Sequence, residues 1–363
     1  MRGGSVVVAV AVVAVVALAA ACDSSAGASG ARVPSAKVTV SPSPAGGTPG
    51  PTGPAQITLA FAGDVHFTER TLRLLRDPDS AFGPIATILG RADIAMVNLE
   101  SAVTTRGTPE PKRFHFRAPP TAYQAVKAAG VDVVSLANNH ALDYGRVGLA
   151  DTLSSAATAA MPVVGAGRNA TEAYRAWITT VKGVRIAFLG MSQIAELSGP
   201  WAATSNRSGI AYAFDGSRAA AAVRAARAEA DVVVVFMHWG QEYHECPTAQ
   251  MQSLAKRMAD AGASVIVGTH AHLLLGDGWL GRTFVAYGLS NFLWWYNDAL
   301  TNDTGVLEIT LRDATIVGTR FVPASIDRKT GQPIPVSGAE ANRIGREYAA
   351  LRRCTGLASS PRR

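Results

Sequence analysis

Continuous apolar, β-branched runs recur along the chain at residues 57–62, 94–97, 131–136, 185–189, 232–237 and 265–268. A strand that alternates can leave one face in water, whereas a strand that is apolar throughout must be covered on both faces. Between these runs lie Ala-rich stretches with helical spacing, at 68–76, 121–129, 148–159, 217–230 and 248–261. Doubly covered strands alternating with helices are what a layered α/β domain requires. Further on, residues 283–286, 305–311 and 315–321 follow closely as a strand meander, and 338–353 reads as a closing helix ending at Cys354. Two β-rich layers flanked by helices accommodate both halves. From residue 56 onward there are roughly 300 residues, enough for one large domain with a full core.

The polar residues at the ends of the apolar runs carry the chemistry. Five of the seven histidines sit there, in Asp64-Val65-His66, Asn139-His140, His238-Trp239-Gly240 and His270-Ala271-His272, with Asn98-Leu99-Glu100 between the first two. His115 and His244 stand outside these motifs and read as ordinary loop residues. Imidazole nitrogens and carboxylate oxygens are ligands that first-row divalent metals accept. All the motifs follow the C-terminal ends of expected strands, the edge where open α/β sheets bind ligands. Residues distant in sequence can therefore converge there on one ion or two. Two adjacent cations need a shared anionic ligand and lower the pKa of a water between them toward about 7. Glu100 is the acidic residue after the 94–97 run, although a helix-capping carboxylate would look the same. His270-Ala271-His272 would point its rings to opposite faces on extended backbone. Convergence therefore requires an irregular loop, which Gly268 and Thr269 permit.

The N-terminus reads as an address. Arg2 precedes an apolar stretch at residues 6–18 that is short for a membrane span and ends in small residues before Cys22. Those residues resemble a bacterial lipobox, which implies a signal peptide at 1–21, lipidation of Cys22 and tethering at the outer face of the membrane. An ordinary cleaved signal or an uncleaved anchor are the alternatives. Residues 22–55 are mainly Ser, Gly, Ala, Pro and Thr, too poor in large apolar side chains to fold, and form a spacer. With Cys22 lipidated, Cys246 and Cys354 remain, and in an oxidising compartment they either pair or stay as two thiols. The formal net charge of +7 suits a polyanionic substrate or an anionic envelope, or is simply a basic background. No extended basic run points to nucleic acid.

Taken in order, Ala62-Gly63-Asp64-Val65-His66, Asn98-Leu99-Glu100, residues 137–145, His238-Trp239-Gly240, residues 268–272 and Tyr287-Gly288-Leu289-Ser290-Asn291-Phe292 resemble the bacterial capsule-synthesis family of CapA and PgsA, associated with poly-γ-glutamate. That family is similar to the calcineurin-like metallophosphoesterases. The resemblance covers residues 56–326, leaves 327–363 as a helical tail, and implies a four-layer α/β/β/α sandwich of the metallo-dependent phosphatase type. It also implies that Asp64, His66 and His272 hold one divalent metal (Mn, Fe or Zn) and that Asn139, His238 and His270 hold a second. Glu100 would bridge them, and His140 would be the catalytic group that protonates the leaving group or stabilises developing charge. The family's phosphoesterase relatives have Gly-Asp where this chain has Asn-Leu-Glu, and Gly where it has Asn138.

Two readings of function follow from the resemblance. One is a lipid-anchored hydrolase that cuts a phosphoester or γ-glutamyl bond by attack of metal-bound hydroxide. The other is a non-catalytic accessory protein that holds an anionic polymer such as poly-γ-glutamate, alongside membrane-embedded capsule-synthesis proteins. Arg117, in the basic strip Lys112-Arg113-Phe114-His115-Phe116-Arg117, and Asn98 are candidate substrate contacts, because a guanidinium matches carboxylates and phosphates with two parallel hydrogen bonds. The aromatic run Trp294-Trp295-Tyr296 either rims a polymer groove or covers a sheet.

Overall fold

The computed structural model describes residues 55–362. The expected signal segment, Cys22 and nearly all of the spacer lie outside the described residues. Strands β1 (Gln56–Val65) and β2 (Ile94–Leu99) are followed by helix α1 (Thr121–Ala128), β3 (Val133–Ser135), α2 (Gly145–Thr158) and β4 (Val163–Val164). Next come β5 (Trp177–Val181), β6 (Val184–Ser192), α3 (Gly216–Glu229), β7 (Val232–His238), α4 (Ala249–Asp260) and β8 (Val265–Thr269). The chain closes with β9 (Leu274–Leu280), β10 (Thr283–Leu289), β11 (Asp303–Arg312), β12 (Thr315–Ile326), β13 (Pro333–Pro335) and α5 (Gly338–Ala350).

Two sheets result. The first has the order β13-β12-β11-β1-β2-β3-β4, and the second β9-β10-β8-β7-β6-β5. Within each, the central strands run parallel, and antiparallel strands are added at the edges. Side-chain parity decides the layers. Leu59, Phe61 and Met96 of the first sheet meet Phe188, Val234, Phe236 and Val267 of the second in one buried layer. The intervening residues face outward: Ala60 and Val97 pack under α1 and α2 through Val126, Leu149 and Ala156. On the far side Val233, Val235 and Met237 pack under Val223, Leu254 and Met258 of α3 and α4. This is a four-layer α/β/β/α sandwich, and each fully buried large apolar side chain contributes about 1.5–3 kcal/mol.

Three expectations are corrected. The helix at 68–76 is a single α-turn, Glu69–Leu72, followed by 3₁₀ turns before Pro78, whose ring lacks the N–H a longer helix would need. The meander is split: β10 lies in the second sheet parallel to β8, whereas β11 and β12 extend the first. The crossing occurs at Ser290, which takes a left-handed φ of 61° and accepts the Asp64 N–H at 3.0 Å. The tail at 327–363 is not purely helical, since β13 adds to β12 as an edge strand. A disulfide joins Cys246 to Cys354, and Arg352 pairs with Asp277 at 2.7 Å, so the tail is docked along β9.

Candidate metal centre

The inward-facing parity of the strands continues past their C-terminal ends, where it delivers polar groups into the cleft between the sheets. Asn98 follows Met96 at the next inward position, His238 follows Phe236, and Thr269 follows Val267. Asp64 has the wrong parity for this, being one residue past Gly63. A bulge corrects it: β1 advances three residues, from Phe61 to Asp64, while β2 advances two, from Met96 to Asn98. Such an extra residue re-aims the side chain that follows. Gly63 is needed there because a Cβ would fall 1.9 Å from the Ser290 carbonyl oxygen. The result is that Asn98 Nδ2 donates to Asp64 Oδ1 at 2.7 Å, and the His270 N–H donates to Oδ2 at 3.1 Å.

One ligand set is assembled. His238 Nε2 lies 2.7 Å from Asn139 Oδ1, 3.1 Å from His270 Nδ1 and 3.5 Å from Glu100 Oε1. Ligand atoms held at about 2.0–2.2 Å from one ion stand roughly 3 Å or more apart, a spacing that the His270 and Glu100 atoms keep from His238, while Asn139 Oδ1 lies closer, at hydrogen-bond distance. Glu100, His238 and His270 each offer an atom within 4.8 Å of the others. Glu100 Oε2 is buried with no hydrogen-bond partner, an orphan that a second ligation would satisfy. Burial, then the Asp64 carboxylate, drives the Glu100 carboxyl well above its usual range, and burial also raises Asp64. Burial and neighbouring imidazoles hold His238 and His270 well below theirs. Neutral imidazoles keep lone pairs for a metal, and the buried carboxylates need a cation beside them to be ionised. The donor set therefore fits divalent metal.

The convergence of His270 and His272 comes from their own backbone, at φ of 89° and 58°, where Gly268 and Thr269 stay in regular β8. Left-handed backbone at non-glycine residues costs on the order of 1–3 kcal/mol each and collects at functional sites. It brings the two rings to 5.8 Å between centroids. His272 Nδ1 donates to Asn291 Oδ1 at 2.8 Å, leaving Nε2 facing the cleft. His66 is set apart. Its ring is wedged between Phe116 and Trp294, each at 4.2 Å, and Nε2 accepts the Trp295 N–H at 3.2 Å.

His140 is placed opposite the ligands. Its Nδ1–H donates to Asp143 Oδ2 at 2.6 Å, which turns Nε2 toward Glu100 Oε1 at 3.8 Å. Phe116 stacks flat on the ring, with centroids 3.9 Å apart and planes at 17°. Burial lowers the pKa of His140, and the Asp143 carboxylate opposes that shift. Lys112, whose side chain is 1% exposed, pairs with Asp143 at 2.9 Å and Glu196 at 3.0 Å and donates to the Asn139 carbonyl. A cavity of about 500 Å³ opens over Asn139 and His270 and is bordered by Glu196, Glu242 and Tyr243.

Several residues lie elsewhere than the sequence suggests. The basic strip is not one surface: Lys112 is buried, and Arg117 lays its guanidinium on Tyr144 at 3.3 Å and donates to the Arg106 carbonyl. Successive residues point oppositely on extended backbone, so Phe116 facing His140 turns Arg117 away from the cluster. Asn98 is fully buried, where it accepts from Asn138 at 3.0 Å while donating to Asp64. Trp294 forms the wall between His66 and His272, and Tyr296 is exposed. Asp143 and Lys112 join the buried cluster around His140, and the sequence reading left both unassigned. The spacing of Asp143 three residues after His140 was the available signal.

A buried nest of His, Asn and carboxylate side chains at the strand ends of a four-layer α/β/β/α sandwich defines the class as a layered α/β protein with a candidate metal centre. Residues 58–296 match the family described as "Bacterial capsule synthesis protein PGA_cap". The chain is 31% identical to the capsule biosynthesis protein CapA of Bacillus anthracis, over 80% of this chain and 72% of that one. It is 30% identical to the PGA biosynthesis protein CapA of Bacillus subtilis, over 80% and 77%. Among solved structures, a phosphatase of Mycoplasma pneumoniae aligns with 74% of this chain and 94% of its own at 12% identity and a TM-score of 0.49, too distant to speak to chemistry. The protein belongs to the bacterial capsule synthesis PGA_cap family.

Proposed function

We propose that this protein is a lipid-anchored, extracytoplasmic hydrolase of capsule or poly-γ-glutamate biosynthesis that cuts a phosphoester or γ-glutamyl bond at a two-metal centre. The observation that carries the reading is His140 Nε2 aimed at the same Glu100 oxygen around which His238 and His270 gather. Asn139, His238 and His270 would hold one cation, Asp64 and His272 would contribute to the other, and Glu100 would be shared by both. Bound divalent cations supply Lewis acidity and a water of lowered pKa, near about 7.

The remaining roles fall to this chain's own side chains. His140 carries a proton at Nε2 to the departing oxygen or nitrogen, and Asp143 stabilises the imidazolium while fixing the tautomer through Nδ1. Lys112 pairs with Asp143 and holds it in place. Phe116 and Trp294 close the apolar side of the cleft, so the reacting bond is out of bulk water. Lipidation of Cys22 would keep this chemistry at the outer membrane face, where a growing anionic polymer is available.

The test uses the full chain in detergent, supplied with Mn²⁺, Fe²⁺ or Zn²⁺ and assayed on bis(p-nitrophenyl) phosphate and on poly-γ-glutamate. Release of nitrophenolate or shortening of the polymer, lost in His140→Ala, is the expected result. A protein that binds metal and polymer but cleaves neither substrate would be an accessory binding protein instead.

A further inference from the structure

We propose that Glu242 is a ligand of the metal position that Asp64 and His272 belong to, in the place that sequence pattern assigns to His66. The inference rests on the two-metal reading above and concerns which side chain completes it.

Tautomers exclude His66. A neutral imidazole has one bare nitrogen and one N–H. Its Nε2 spends the lone pair on the Trp295 N–H, so the proton sits on Nδ1, which is buried without any partner. Phe116 and Trp294 pack against the ring on either side at 4.2 Å and hold it in this plane. His66 therefore offers no lone pair to the cleft, and its position is that of a wall residue.

His272 is the opposite case. With Nδ1–H committed to Asn291, Nε2 is the bare nitrogen, and the group facing it is Glu242 Oε1 at 3.8 Å. A nitrogen and an oxygen at that separation can each stand about 2.0–2.2 Å from a shared ion. Glu242 is half-exposed at the cavity mouth, and among the described residues it forms no ion pair with lysine or arginine. Glu196, the other carboxylate of the rim, is already held by Lys112.

The loop is built to keep Glu242 there. The Tyr243 N–H donates to the Ala271 carbonyl at 2.8 Å and the Trp239 N–H to the Thr269 carbonyl at 3.2 Å. These bonds sew residues 239–243 to the loop bearing His270 and His272. The Cys246–Cys354 disulfide anchors the far end. Charge points the same way. Two divalent ions would face only Asp64 and Glu100, because Asp143 is offset by Lys112, and a third carboxylate reduces the excess positive charge.

The experiment titrates the full chain in detergent with Mn²⁺, reading free ion by electron paramagnetic resonance. Wild type, Glu242→Gln and His66→Phe are compared, with folding checked by circular dichroism. Wild type is expected to bind two equivalents. Glu242→Gln should keep one and weaken the other about tenfold or more, and Glu242→Asp should recover part of the loss. His66→Phe should keep both within a few-fold. Two undisturbed sites in Glu242→Gln would overturn the proposal while leaving the two-metal reading intact, and loss of one site in His66→Phe alone would restore the sequence assignment. No Mn²⁺ bound by wild type would overturn the reading beneath it and this proposal together.

Discussion

At the scale of single residues, the site turns on a buried relay: Lys112 to Asp143 to His140. A buried carboxylate hydrogen-bonded to imidazole stabilises the cation that the imidazole becomes when protonated. His140→Ala should lower hydrolysis by about 10²–10⁴-fold with metal content unchanged, measured by single-turnover assay beside elemental analysis. Loss of metal along with activity would make His140 a ligand instead. Lys112 has a separate signature. Replacing it by Met leaves Asp143 buried and uncompensated, a loss of about 3–5 kcal/mol in urea unfolding. A change under about 1 kcal/mol would show that the Lys112–Asp143 pair does not support the fold. His140 and the candidate ligands stood out in the sequence because each follows the end of an apolar run. Lys112 did not. A lysine between Pro111 and Arg113 looks solvated, and only the tertiary fold brings Asp143 and Glu196 to it.

Among the elements, β1, β2, β7 and β8 carry the argument, because strand parity and one bulge decide what enters the cleft. The central strands could be read from the chain since they are covered on both faces and apolar without interruption. Strand β5 was missed because it is an edge strand of half-buried residues, and β9 because Gly276 and Gly278 interrupt its apolar run. The bulge in β1 was invisible for a different reason: it depends on Ser290, more than two hundred residues away, pressing on Gly63. The end of β8 offers a direct test. A Cβ on Gly268 would lie 2.1 Å from the Tyr287 carbonyl oxygen and 2.2 Å from Trp239 Nε1, whereas one on Gly199 meets nothing within 4 Å. Gly268→Ala should therefore cost about 1–3 kcal/mol or more and weaken metal retention, and Gly199→Ala should be near neutral in thermal unfolding. Equal melting temperatures for the two would contradict the packing described for β8.

For the whole molecule, two sheets back to back put the rims of both at one edge, which is how ligands from β1, β2, β7 and β8 meet. The tail takes part in this arrangement through the disulfide, which closes a loop of sequence separation 108. Cross-links over loops of that size contribute about 2–5 kcal/mol. Cys354→Ser should lower stability by that amount, read from urea midpoints under non-reducing conditions, and an unchanged midpoint would show that the bond does not form. The central claim is the two-metal centre, and elemental analysis of the full chain, wild type beside the double variant Asp64→Ala/His270→Ala, tests it most directly. The account predicts about two equivalents of a first-row divalent metal in wild type and loss of both in the variant. No metal in wild type after reconstitution with Mn²⁺, Fe²⁺ or Zn²⁺ would contradict it.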